Sequence, residues 1–244
     1  MPARFPGFPE EARKFLSQLK AHNTREWFQP RKQIYEEKVK APMVELVLAL
    51  GEALREIAPE FDTDPKKAVY RIYRDVRFSR DKSPYKTHVA AMFGPRGLIK
   101  HASAGTYFHF SDNEVLVAGG IYAPGPQELL AVRRHLADNA EEFRRITSDR
   151  GFRQMFGDVE GEKLKRVPKG FATNHPEADL LVFKQFLVAG QLSPEIVETP
   201  KFQKEILKRF AAMLPVLRFL NRPLKPARGM KSMGLGLSKR PQPR

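Results

Sequence analysis

Between Tyr70 and Lys86 the sequence reads Tyr70-Arg71-Ile72-Tyr73-Arg74-Asp75-Val76-Arg77-Phe78-Ser79-Arg80-Asp81-Lys82-Ser83-Pro84-Tyr85-Lys86, a mixture of cations, carboxylates and aromatic rings. Guanidinium groups bind phosphates and carboxylates through a planar fork of N–H donors, so this composition suits anion recognition. In an extended chain, side chains alternate between faces, and neighbours on one face lie ~7 Å apart at a rise of ~3.3 Å per residue. That alternation places Tyr70, Ile72, Arg74, Val76 and Phe78 on one face and Arg71, Tyr73, Asp75 and Arg77 on the other. Arg74 is then a charge on an apolar face. Left unpaired there it would cost several kcal/mol, so it must meet an anion. The anion is either a carboxylate of the protein or a group on a ligand. In the second case Arg71, Arg77, Lys82 and Lys86 are near enough along the chain to share it.

Ser83-Pro84 reads as a turn that carries Tyr85, Lys86 and His88 back toward this segment. The anion-binding set expected from sequence is therefore Arg71, Arg74, Arg77, Lys82, Tyr85, Lys86 and His88. Asp75, between Arg71 and Arg77, and His109, flanked by Phe108 and Phe110, are the candidate catalytic residues, one a carboxylate held ionised and the other an acid–base group. Each also has a plain structural reading: a cross-strand salt bridge for Asp75, a strand histidine for His109 and a solvated charged loop for the lysines.

Helical periodicity is expected from Pro9 through Ala12, Phe15, Leu16 and Leu19, after a capping-box-like start at Asn23 and Glu26, and from Pro42 to Ile57. After Pro65 the period changes to two, which predicts a strand over Val69 to Phe78. Further strands are expected at His88 to Phe93, Thr106 to Phe110 and Val115 to Ile121, the last two as a hairpin across Ser111-Asp112-Asn113-Glu114 with a bulge at Gly119-Gly120. Helices follow from Pro126 and around Phe143 and Ile146, then a looped region from Gly151 to Pro176. A strand at Phe183 to Val188 and an amphipathic helix from Phe202 to Leu217, bent at Pro215, complete the pattern. Strands come in succession, so the expected class is α+β: a mainly antiparallel sheet with flanking helices and a helical N-terminal region.

The 244 residues carry 43 Lys and Arg against 28 Asp and Glu, a formal charge of +15. Residues 222–244 contribute seven of those cations and no acid, and are rich in Pro and Gly, so they read as a flexible, disordered basic tail after a single α+β domain at residues 1–221. There is no cysteine, which excludes thiolate chemistry, and the six histidines lack the i, i+4 spacing of a helical metal site, so no metal is expected. Phosphate-loop, nucleophile-elbow and zinc-helix motifs are missing, and no cofactor is identified. Without an apolar leader or spanning segment, the expected setting is cytoplasmic, with no membrane partner. Oligomeric state is not written in the sequence.

The run Arg71-Ile72-Tyr73-Arg74-Asp75-Val76-Arg77-Phe78-Ser79-Arg80-Asp81-Lys82-Ser83-Pro84-Tyr85 resembles the hallmark of a bacterial family of conserved hypothetical proteins, domain of unknown function 2461. The likeness extends to Asn23-Thr24-Arg25-Glu26-Trp27-Phe28, Gly119-Gly120-Ile121-Tyr122-Ala123-Pro124, Pro168-Lys169-Gly170-Phe171 and His175-Pro176. This resemblance implies no activity. Three readings of function follow from the residues. One is an Arg-rich pocket for a phosphorylated or carboxylated small molecule, with catalysis open. Another is a non-enzymatic nucleic-acid binder that stacks bases on Tyr73 and Tyr85 and uses its tail for backbone contact. The last is a structural or interaction protein with internally paired arginines. The first is favoured, because the body without its tail carries only a modest charge.

Overall fold

The computed structural model describes residues 4–226. The chain opens with α1 (Glu10–Ala21), whose Ala12, Phe15, Leu16 and Leu19 form the buried stripe that helical spacing predicts. Residues 25–57 are then helical throughout, as α2 (Arg25–Phe28), a 3-10 turn (Gln29–Arg31), α3 (Lys32–Tyr35), a π turn (Glu36–Lys40) and α4 (Ala41–Ile57). Pro30 and Pro42 each lack an N–H, and the hydrogen-bonding pattern changes beside both. The cap of α2 is Thr24, whose Oγ1 accepts from Trp27 N, and not Asn23 as expected.

After the one-turn α5 (Pro65–Ala68) comes a four-stranded antiparallel meander, β1 (Val89–Phe93), β2 (Gly105–Phe110), β3 (Val115–Ile121) and β4 (Phe186–Leu192), in that spatial order. Between β3 and β4 lie α6 (Pro126–Asp138), α7 (Ala140–Thr147), α8 (Arg150–Phe156) and the one-turn α9 (Ala178–Leu181), and α10 (Lys201–Asn221) closes the fold. The class is α+β. Two expectations need correction here. The looped region from Gly151 begins inside α8, which Asp149 caps by accepting from Phe152 N at 2.9 Å. The strand expected at Phe183 starts at Phe186 and runs on to Leu192.

One face of the sheet packs on α10, in a core that α1, α4, α6, α7 and α8 also join. Phe108 and Phe110 meet Phe202 with ring centroids 6.2 Å apart in both cases, and Phe93 meets Phe210 at 6.0 Å. Helix α10 continues through Pro215 without ending. Gly119 and Gly120 pair in unbroken register with Thr106 and Gly105, so the expected bulge is not formed. The glycines answer a different need. A Cβ on Gly119 would sit 2.4 Å from Met213 Sδ under α10, and Gly120, at φ 127°, would place one 1.9 Å from Phe186 O.

Both outer strands have companions. Tyr70 N donates to Ala90 O at 2.9 Å beside β1, while Glu160 and Leu187 exchange backbone hydrogen bonds of 2.8 and 2.9 Å beside β4. The sheet face away from α10 carries Tyr107, His109, Leu116, Ala118, Leu187 and Ala189, all partly exposed.

Candidate functional site

The segment expected as a strand at Val69 to Phe78 is extended but not a strand: it forms isolated bridges at Val69 with Ala91 and at Tyr73 with Tyr85. Lys86 N donates to Ile72 O at 2.8 Å and Arg74 N to Pro84 O at 2.9 Å, so the segment folds back on itself. Short side chains then take over the backbone. Asp75 Oδ1 accepts from Arg77 N at 3.3 Å, and Asp81 Oδ1 accepts from Ser83 N at 2.9 Å, two Asx turns that end the pairing. Alternation therefore holds from Tyr70 to Arg77 and fails at Phe78, which is 96% exposed instead of facing inward.

Arg74 does meet a carboxylate, and it belongs to its own loop. Its Nη1 bonds Asp81 Oδ2 and also donates to Ser83 O at 3.3 Å, while Nη2 donates to Ser79 Oγ at 3.4 Å. Asp81 is held well below the usual carboxylate range, first by the Ser83 hydroxyl and backbone, then by Arg74. Arg77 grips Asp75 with Nε and Nη2 at 3.0 and 2.7 Å, which lowers the Asp75 carboxyl to about 2. Both arginines are thus engaged within the protein. Lys82 donates to Val76 O at 3.0 Å, and the exposed Arg71 acts on Lys86 through its charge.

A cleft of about 370 Å³ opens between the end of α1 and this loop. Of the expected anion-binding residues it is lined by Arg74, Tyr85, Lys86 and His88, joined by Lys20, Asn23, Asp81, Ser83 and Thr87. Arg71, Arg77, Lys82, Asp75 and His109 do not line it. Asn23, read from sequence as a cap, ties this loop to the end of α1. Its Nδ2 donates to Tyr85 O at 2.9 Å and its Oδ1 accepts from Tyr85 N at 3.1 Å, as a pairing strand would. The Tyr85 ring lies in the core, stacked on Phe28 at 4.1 Å and 19°, so it is closed to a nucleobase.

Lys86 is the cation this framework leaves over. The side chain is half-buried, and among the described residues its ammonium group has neither a hydrogen bond nor an ion pair; it sits 4.9 Å from the Tyr70 ring centre. Burial, helped by the Arg71 charge, lowers its pKa. His88 is lowered to about 4, mainly by burial and then by His109 and Lys86, which outweigh Glu114. Its ring centre lies 5.0 Å from that of His109. His109 in turn spans two partners, with Nδ1 3.0 Å from Tyr107 Oη and Nε2 3.4 Å from Glu114 Oε2. Burial raises the Tyr107 phenol. Among the described residues no three His, Asp or Glu side chains group as metal ligands. Lys20 and Asn23 were missed as site residues: Lys20 has no distinguishing signal in the sequence, and Asn23 carried one that pointed to a cap.

Residues 11–219 match the family model described as conserved hypothetical protein (DUF2461). The chain belongs to this family. No curated protein matches the chain. Among the described residues no helix is long and apolar enough to cross a membrane.

Proposed function

We propose that this DUF2461 chain binds a small molecule through a phosphate or carboxylate group in the cleft between α1 and the Asn23-clamped loop. The observation that carries this reading is Lys86: a half-buried ammonium group in a cleft, without a carboxylate partner among the described residues. A desolvated cation gains from an anion that enters, because the interaction strengthens where water is excluded. Lys20, whose Nζ lies 3.7 Å from Asp112 Oδ1, adds positive charge at the rim, and His88, neutral at pH 7, offers a hydrogen bond without charge. Arg74 and Asp81 neutralise each other, so their part is to hold the loop.

A second cavity, about 320 Å³ beside Arg13, has less to offer. Arg13 already donates to Glu198 Oε1 at 3.0 Å and to Asp112 O at 3.0 and 3.2 Å. Asp75 lies outside the Lys86 cleft, gripped by Arg77, so the reading is one of binding and assigns no reaction.

Calorimetric titration with inorganic phosphate and a panel of phosphorylated and carboxylated metabolites tests it. Saturable binding is expected, weakened at least about tenfold, or ~1.4 kcal/mol, by Lys86→Gln and unchanged by Lys208→Gln on the exposed side of α10. No saturable binding, or equal binding by Lys86→Gln, overturns it.

A further inference from the structure

Lys86 does not stand alone on its side of the molecule. Lys100 Nζ lies 4.7 Å from the centre of the same Tyr70 ring that Lys86 approaches at 4.9 Å, so the two ammonium groups are at most about twice that distance apart. Lys100 is partly buried and donates to Lys67 O; like Lys86 it has no carboxylate bonded to it among the described residues. Tyr70 is fixed in this position. Its hydroxyl donates to Met92 Sδ at 3.4 Å, and its ring stacks on His101 at 6.0 Å and meets Tyr107 edge-on at 6.2 Å.

The acids that act on the two lysines are few. Asp62 acts on Lys100, but it is bound by Lys67 at 2.7 Å. Each ammonium group faces the same ring without a carboxylate bonded to it, and a single ligand bearing negative charge at both ends would pair with both at once.

We propose that the ligand carries two anionic groups, of the diphosphate or bisphosphate class, one held at Lys86 in the cleft and the other at Lys100 across the Tyr70 ring. This rests on the anion reading of the cleft and adds to it the substrate class. The tyrosine ring then serves as the spacer that sets the distance between the two groups.

Titration of the full chain with inorganic phosphate, pyrophosphate and tripolyphosphate tests the proposal. At least one of the two polyphosphates is expected to bind ten times or more tightly than phosphate. Lys100→Gln should remove that advantage and leave phosphate affinity within twofold, Lys100→Arg should restore it, and Lys86→Gln should weaken all three anions. Lys208→Gln, which removes the same charge elsewhere, should change none of them, and thermal melts of each variant report whether the fold persists. Polyphosphates no tighter than phosphate, or an advantage that survives Lys100→Gln or falls equally in Lys208→Gln, overturns the two-group ligand while phosphate binding at Lys86 stands. Failure of all three anions to bind overturns the two-group ligand, and the anion reading of the cleft falls with it when the carboxylated panel fails as well.

Discussion

His88 couples the cleft to pH. Its folded value of about 4 lies below the ordinary imidazole value, chiefly because burial penalises the cation. As pH falls from about 6.5 toward about 4, the unfolded chain therefore takes up this proton before the folded one does. Stability from this group is complete above that window and is lost through it, by an amount on the order of 3 kcal/mol. Urea midpoints measured from pH 7 to pH 4 should fall in the native protein and fall less in His88→Gln; identical slopes would show that the group is not desolvated. Asn23 is the second residue with a sharp expectation. Asn23→Ala leaves Tyr85 N and O without their partners, at a cost of about 1–3 kcal/mol, read by chemical denaturation. Sequence alone made the demand of Arg74 for an anion legible, because a charge among apolar neighbours must be paired. It did not show that Asp81, seven positions on, would supply the pair, since that depends on the path of a loop. Among the described residues that line the cleft, Lys86 is the cation without an ion pair, and Lys20 and Lys100 come from other parts of the chain that no local pattern connects to it.

At the scale of elements, the helices with clear apolar stripes and the β2–β3 hairpin were readable because each depends on nearest neighbours in sequence. The segment from Val69 was not. Its alternation is real through Arg77, and the turns at Asp75 and Asp81 divert the backbone before a ladder can form. The paired glycines of β3 signalled a special backbone, yet only the placement of α10 and β4 shows which kind. Gly119→Ala collides with the side chain of Met213, whereas Gly120→Ala collides with the main chain of Phe186 and also demands φ of 127° from a residue with a Cβ. The first should be the milder, with roughly 1–3 kcal/mol lost as in an overpacked core, and partly restored by Met213→Ala. The second should exceed it and leave little folded protein, as thermal melts of the variants will report.

For the molecule as a whole, charge and fold separate. Of the basic tail expected at residues 222–244, the first part is described: Arg222 donates to Glu142 at 2.8 and 2.9 Å, and Leu224 packs against the core. Residues 227–244 lie outside the described residues, yet they hold Arg228, Lys231, Lys239, Arg240 and Arg244 and no acid, a third of the formal charge of +15. Deleting them should flatten the salt dependence of oligonucleotide binding by up to about 0.9 in log–log slope for each cation that contacts phosphate. Phosphate binding at Lys86 should be unchanged. A deletion that abolished phosphate binding would place the anion site in the wrong part of the chain.

The companions of the two outer strands bear on how copies of the protein meet at high concentration. A bare strand edge offers a row of unmatched amides and carbonyls onto which another molecule can graft itself. Here Tyr70 occupies part of one border and Glu160 part of the other, leaving less free backbone for a second chain to template upon. Concentrated solutions should accordingly resist fibril growth through these borders, and loosening either flanking segment should expose the template.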